Sequence, residues 1–315
     1  MKPTILMMPR LADDAIASLR QHYTVIGPVD GDDAAAIPAE AREARALVTY
    51  GGRRTSAELM DALPKLELVA CYGTGVEGVD AAAAKARGIA LCNAADANAR
   101  SVAECAMGLM LCAMRGIGQG DRFVREGLWS RRGVEPVANT PDLAGRKVGI
   151  YGLGAIGSRI ASRAAAFEME VGYHSRSAKP GLPYQFHDSL PGLAAWADVL
   201  VVAVRASAET RNAVDDAVLN ALGPRDYVVN IARGLVIDEE ALCSALEQKR
   251  IAGAALDVFA EEPHVPERLR ALDNVVLTPH IAANSQDARK GQSRMLLGNL
   301  EAFFAGRPMP SPVLL

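Results

Sequence analysis

Short apolar runs alternate along this chain with segments whose apolar positions recur every three to four residues, the pattern of strands followed by helices. In the first hundred residues the runs 4–8, 23–26, 46–50, 66–71 and 89–92 predict strands. Helical spacing covers 13–20. It returns where Leu59, Met60 and Leu63 share a face behind Ser56, a residue suited to cap a helix that Pro64 closes. An apolar helix over 101–114 comes next. The segment 116–139 is rich in Gly and Arg, carries Trp129 and has no core pattern of its own, so it reads as a packed or swapped arm. A second series begins at Lys147, with strands predicted at 148–151, 170–173, 199–204, 227–231, 254–258 and 275–277. These are unbroken runs of Val, Ile, Leu and Ala, expected where helices cover both faces of a parallel sheet. The fold class is therefore α/β. The final helix, 288–304, follows the second series. One helix cannot bury its apolar face alone, so it is expected to cross back to the first domain.

A length of 315 residues suits two domains rather than one core. The formal net charge of −3 gives no reason to expect a nucleic-acid or anionic-membrane partner. Asp13 and Asp14 interrupt the N-terminal apolar run too early for a signal peptide. The run 102–114 is too short to span a bilayer and carries Glu104. The five cysteines, Cys71, Cys92, Cys105, Cys112 and Cys243, form no C-x-x-C pair. They read as reduced, buried thiols of a cytoplasmic protein, with no metal site.

The first strand of the second series runs into Gly152-Leu153-Gly154-Ala155-Ile156-Gly157, and a helix follows from Ser158. Gly-x-Gly-x-x-Gly alone is a weak signal, but strand, glycine turn and helix in that order form a dinucleotide site. The first glycine allows the turn, the second admits a pyrophosphate and the third lets the helix pack on the strand. The helix N-terminus offers N–H groups and partial positive charge to the phosphates. Where an NAD site places an acid at the end of the next strand, this chain reads Tyr173-His174-Ser175-Arg176-Ser177. Arg176 is either a solvated loop charge or a partner for a 2′-phosphate, with the Ser175 and Ser177 hydroxyls beside it. A base without an acid favours NADPH/NADP as cofactor, with NADH/NAD a weaker alternative.

Three polar residues follow successive strands of this series: Arg233, Glu262 and His280. Ligands of open α/β sheets bind beyond the carboxyl ends of strands, so all three can face one crevice. Hydride arriving at a keto carbon leaves an alkoxide that needs a proton, which an imidazolium can give. A carboxylate would orient that imidazole and favour its charged form. An arginine fork would hold a substrate carboxylate and polarise the carbonyl. Each also has a plain reading, as a loop histidine, a solvated acidic corner and a capping turn; their joint placement favours chemistry.

Together these residues give the chain its resemblance to the D-isomer-specific 2-hydroxyacid dehydrogenases. The carriers are the glycine turn, Asn230-Ile-Ala-Arg-Gly234, Leu256-Asp-Val-Phe259 with Glu261-Glu-Pro263, Thr278-Pro-His-Ile281 and Gly73-Thr-Gly-Val-Glu-Gly-Val-Asp80. The resemblance implies two Rossmann- or flavodoxin-like parallel-sheet domains with the active site in the cleft between them. Residues 1–98 and 285–315 would bind substrate, and 99–284 would bind the dinucleotide. Arg233, Glu262 and His280 would be catalytic, and the backbone of Gly73, Thr74 and Gly75 would take the substrate carboxylate, with Tyr72 shaping the pocket. Asp257 would bond the nicotinamide carboxamide, and Val204, Ile231 and Ala232 would line the cofactor. A homodimer joined through an arm at about 101–139 is implied too. Within the family, the Tyr173–Ser177 segment is similar to the glyoxylate/hydroxypyruvate and hydroxyphenylpyruvate reductases, which implies NADPH and a small 2-keto acid. This chain departs in reading Pro279-His-Ile-Ala-Ala283 where the family often has Gly-Ser, and Arg205 where it has proline. Phosphoglycerate dehydrogenases commonly carry further C-terminal domains, and formate dehydrogenases lack the Glu–His pair. A nucleotide-sensing regulator of the same fold with little turnover is the alternative from another class.

Overall fold

The computed structural model describes residues 2–31, 33–137 and 139–315. The chain divides into two units. One joins Met1–Asn98 to Gln286–Leu315, and the other is Ala99–Ser285. Thirteen strands are named in chain order. The first unit begins with β1 (Thr4–Met7), β2 (Thr24–Ile26), β3 (Ala46–Thr49), β4 (Leu68–Cys71) and β5 (Ala90–Cys92). The second holds β6 (Lys147–Tyr151), β7 (Glu170–His174), β8 (Gln185–His187), β9 (Val199–Val202), β10 (Tyr227–Asn230), β11 (Gly253–Leu256) and β12 (Val275–Leu277). The chain returns to the first unit for β13 (Pro312–Val313).

The first sheet has the order β13-β5-β4-β3-β1-β2, parallel except where β13 runs against β5. Strands β3 and β4 are buried at every position, which is why they read as unbroken apolar runs. Ser56 caps the helix Ala57–Asp61 by accepting the Leu59 N–H, a contact typically contributing about 1 kcal/mol. The last helix, Gln286–Phe304, packs Leu296 and Leu300 into the apolar layer of β1, β3 and β4. A buried polar knot ties it to the sheet edge: Asn299 donates to the Asn93 carbonyl at 3.0 Å, and Ser311 donates its hydroxyl to Asn93 Oδ1 at 2.8 Å.

The second sheet has the order β12-β11-β10-β9-β6-β7-β8 and is parallel throughout. The chain winds outward from β6 to β8, then crosses to β9 on the other side of β6. That reversal is a topological switch point, where open α/β sheets bind ligands. Two strands are absent from the apolar pattern. β8 is a three-residue, largely exposed edge strand, and β13 has two residues of which one is Pro312.

The apolar helix extends over Ala99–Met114. The segment read as a packed or swapped arm contains helices Ile117–Arg125 and Trp129–Arg132, although glycines at 118 and 120 weaken the first. All five cysteines are free. Cys71, Cys92 and Cys243 are buried, whereas Cys105 and Cys112 are only half-buried, against expectation. Seven residues turn a helix by nearly two full turns, so both face the same, partly open side. Among the described residues, no single helix is long and apolar enough to cross a membrane.

Candidate functional site

The glycine turn follows β6 at the switch point. Gly152 has φ +98°, a backbone conformation that L side chains rarely adopt, and a Cβ there would meet the Val204 Cα at 2.7 Å. A Cβ on Gly157 would sit 2.0 Å from the Gly152 carbonyl oxygen, so the helix Ala155–Ala166 approaches β6 as only glycine allows. Gly154 differs: nothing lies within 4 Å of where its Cβ would be, and no side chain caps the helix it opens. Open space in front of uncapped helix N–H groups fits a dinucleotide phosphate. Ala155 faces solvent and Ile156 is half-buried, while Leu153 is 1% exposed, so its side chain serves the core and only its backbone faces the turn.

At the end of β7, His174 stacks on Tyr151 and sets Nδ1 2.9 Å from the His187 carbonyl oxygen. Ser175 donates its hydroxyl to the Ser177 carbonyl at 2.8 Å. Arg176 is exposed and makes no hydrogen bond or ion pair among the described residues. Its charge is available to an incoming anion. Lys179, three residues on, donates through Nζ to the Leu153 carbonyl. Nothing in the sequence singles it out, since the contact spans 26 residues.

The three polar residues after β10, β11 and β12 come together in the second unit. Asn230, 1% exposed, accepts the Ala232 N–H at 3.1 Å and donates to the Arg233 carbonyl at 3.1 Å. This side-chain turn fixes the backbone that carries Arg233. The Arg233 guanidinium donates to the Ala232 carbonyl at 2.7 Å, and Ile231 and Ala232 beneath it are buried. A Cβ on Gly234 would lie 1.9 Å from the Phe259 carbonyl carbon, so the turn after Arg233 presses directly on the segment leading to Glu262. Glu262 Oε1 accepts the Phe259 N–H at 3.1 Å, and its Oε2 lies 2.6 Å from His280 Nδ1. Burial pushes the Glu262 carboxyl up. The hydrogen bond and charge of His280, the Phe259 N–H and the Arg233 charge outweigh it and hold the group below the usual carboxylate range. An ionised carboxylate only accepts, so His280 Nδ1 carries hydrogen and Nε2 is left to exchange a proton.

His280 sits at φ +51°, in the left-handed region, where a non-glycine residue costs on the order of 1–3 kcal/mol. Asp257 holds it there. This carboxylate is 1% exposed and accepts the Thr278 hydroxyl at 2.6 Å and the Ile281 and Ala282 N–H groups at 2.9 Å each, while its backbone carbonyl accepts the His280 N–H. The family resemblance gives Asp257 to the carboxamide; here both its oxygens pin the His280 loop. Its partners are about 25 residues away in sequence, which hid this arrangement from pattern reading.

In the first unit, the loop after β4 is anchored at both ends. Asn93 donates to the Thr74 carbonyl at 2.6 Å, Ala94 N–H donates to the Gly73 carbonyl, and Thr74 Oγ1 donates to Asn98 at 2.9 Å. The backbone N–H groups of Thr74 and Gly75 have no acceptor among the described residues, which leaves two adjacent donors for an anion. Tyr72 is 6% exposed and its hydroxyl contacts the Arg289 carbonyl and Ser293 Oγ of the last helix. The exposed aromatic beside this loop is Tyr50, which meets Tyr72 edge-on and which sequence reasoning passed over.

Comparison with known proteins gives the family of the chain. Residues 107–282 match the family described as D-isomer specific 2-hydroxyacid dehydrogenase, NAD binding domain. The chain is 41% identical over 275 residues to the hydroxyphenylpyruvate reductase of Plectranthus scutellarioides, covering 87% of each. It is 37% identical over 321 residues to the glyoxylate reductase of Thermococcus onnurineus, covering 99% of this chain and 96% of that one. Among solved structures, the NADPH-dependent glyoxylate/hydroxypyruvate reductase of Sinorhizobium meliloti, in complex with NADP and malonate, matches with a TM-score of 0.94 at 38% identity, over 99% of this chain and 97% of that one.

Proposed function

The chain belongs to the D-isomer-specific 2-hydroxyacid dehydrogenases, and from that premise we propose that it reduces a small 2-keto acid of the glyoxylate or hydroxypyruvate type to the D-2-hydroxy acid, with NADPH preferred to NADH. The carrying observation is the His280–Glu262 pair at 2.6 Å, on a loop pinned by Asp257, in the unit that holds the dinucleotide turn. The nicotinamide, when bound, supplies the hydride. His280 Nε2 gives the proton that the resulting alkoxide requires, and takes it back in the reverse direction. Glu262 holds Nδ1–H and stabilises the imidazolium. Arg233 turns its guanidinium toward the substrate carboxylate and carbonyl oxygen. The Thr74 and Gly75 N–H groups hold the substrate carboxylate. Arg176, with the Ser175 and Ser177 hydroxyls, takes the 2′-phosphate, and the absence of an acid at the end of β7 removes the repulsion that would exclude it.

Initial rates with NADPH and NADH against glyoxylate, hydroxypyruvate, pyruvate and phenylpyruvate test this reading. NADPH-linked reduction of glyoxylate or hydroxypyruvate at the highest kcat/KM is expected. Coenzyme binding without turnover on any of the four would move the chain to the sensing role. Arg176→Ala is expected to weaken NADPH by about tenfold while leaving NADH nearly unchanged, the size of one charge-assisted hydrogen bond. An unchanged preference in that variant would remove Arg176 from selection.

We also propose a homodimer. The segment after the apolar helix exposes Ile117, Val124, Trp129 and Val134, four large apolar side chains within eighteen residues, a density that marks a contact surface.

A further inference from the structure

We propose that Lys179 is a second cation for the 2′-phosphate, acting with Arg176, and that its bond to the Leu153 carbonyl keeps the ammonium in position before the dinucleotide arrives. The inference rests on the NADPH preference proposed above. Its geometry is independent of Arg176. The Lys179 backbone N–H donates to the Tyr173 hydroxyl at 2.7 Å, and Tyr173 is 1% exposed, so the base of this side chain is anchored in the core. From there Nζ reaches back across the end of β7 to the carbonyl of Leu153, the residue between the first two glycines of the turn. The ammonium thus joins the loop that carries Arg176 to the turn that faces the phosphates.

Charge balance argues for two cations. A phosphate monoester carries about −2 once above its second pKa of about 6, so Arg176 alone leaves roughly one charge uncompensated. The pyrophosphate is served otherwise, by the uncapped helix N-terminus at Gly154. An ammonium has three donors and Leu153 takes one, so Lys179 can keep its anchor and bind a phosphate oxygen as well. Its neutral carbonyl partner is a weaker acceptor than a dianion.

The test is equilibrium binding of NADPH, NADH and 2′,5′-ADP to the purified chain, by nicotinamide fluorescence and by calorimetry, for the wild type, Lys179→Met and Lys179→Arg. Lys179→Met is expected to raise the Kd of NADPH and of 2′,5′-ADP by about tenfold and that of NADH by less than twofold, with Lys179→Arg recovering most of the loss. NADH binding serves as the internal measure of folding. An unchanged NADPH Kd in Lys179→Met, or a parallel loss of NADPH and NADH, would overturn the assignment while leaving a wild-type preference for NADPH intact. A wild type that binds NADH as tightly as NADPH would instead overturn the coenzyme reading, and Lys179 with it.

Discussion

At the scale of single residues, the proposed site separates groups placed to act on the reactants from groups that hold their backbone still. His280, Glu262 and Arg233 were legible in the sequence because each stands just after an apolar run, where a polar residue is conspicuous. Asn230, Thr278 and the internal role of Asp257 were not, because their meaning lies in hydrogen bonds to atoms distant in sequence or hidden inside a turn. The two classes fail differently when altered. His280→Ala is expected to lower kcat for 2-keto acid reduction by 10²–10⁴-fold, the range for losing a general acid, with NADPH Kd within about twofold of the wild type. Stopped-flow turnover beside fluorescence binding would show it, and near-normal kcat would take His280 out of the mechanism. Glu262→Gln removes the negative charge that favours the imidazolium. The high-pH limb of reduction, where the proton donor is lost, should therefore move to lower pH. The Glu262 carboxyl is itself held below the usual carboxylate range. Its contribution is thus present above its unfolded pKa and fades as pH falls through the depressed folded value, so the wild-type advantage over Glu262→Gln should narrow in acid. A pH–rate profile coinciding with the wild type's would show that the carboxylate does not tune His280.

At the scale of elements, eleven of the thirteen described strands follow from apolar runs, and their ends are where pattern reading slips. The run 199–204 looks like one strand, yet β9 ends at Val202, the last residue paired with β6 and β10, after one closing ladder bond from the Ala203 N–H to the Tyr151 carbonyl. Over the run 254–258, β11 begins one residue earlier, at Gly253, and ends at Leu256, where Asp257 turns its carboxylate into the His280 loop. Function thus begins where the ladder ends. The short strands β8 and β13 carry too few apolar positions to register. The helix Ala155–Ala166 depends on one residue for its seat. Gly157→Ala would force a methyl to within 2.0 Å of the Gly152 carbonyl oxygen, and overpacking of this kind typically costs about 1–3 kcal/mol. Thermal unfolding should show a lowered Tm, and NADPH and NADH should both bind more weakly as the turn is pushed from the helix. A variant with normal Tm and normal binding would show that the turn is not built around this contact.

At the scale of the whole molecule, two parallel sheets were legible because strand and helix signals alternate twice along the chain. The arm at 116–139 shows no core pattern in the sequence because its helix Ile117–Arg125 presents Ile117 and Val124 to solvent and buries only Phe123. Such a face has no core period of its own to display. The homodimer proposal makes this deficit informative. Trp129→Asp combined with Val124→Asp is expected to convert a dimer into a monomer, read as a halved mass by light scattering. A wild type already monomeric at micromolar concentration would exclude that assembly.

The return of Gln286–Leu315 to the first unit has a consequence for how the protein is made. The dinucleotide unit is contiguous and is complete as soon as Ser285 has been synthesised, whereas the first unit has its opening residues translated before the insertion and its closing helix after it. About 190 residues separate the two parts, so at the usual 5–20 residues per second the ribosome takes roughly 10–40 s to supply the missing helix. During that interval β4 and β5 lack the Leu296–Leu300 face and the Asn299–Asn93–Ser311 knot that later cover and tie them. The part of the molecule that begins first on the ribosome is therefore the part that finishes last. In that window the apolar face of β4 and β5 is without the helix that later covers it.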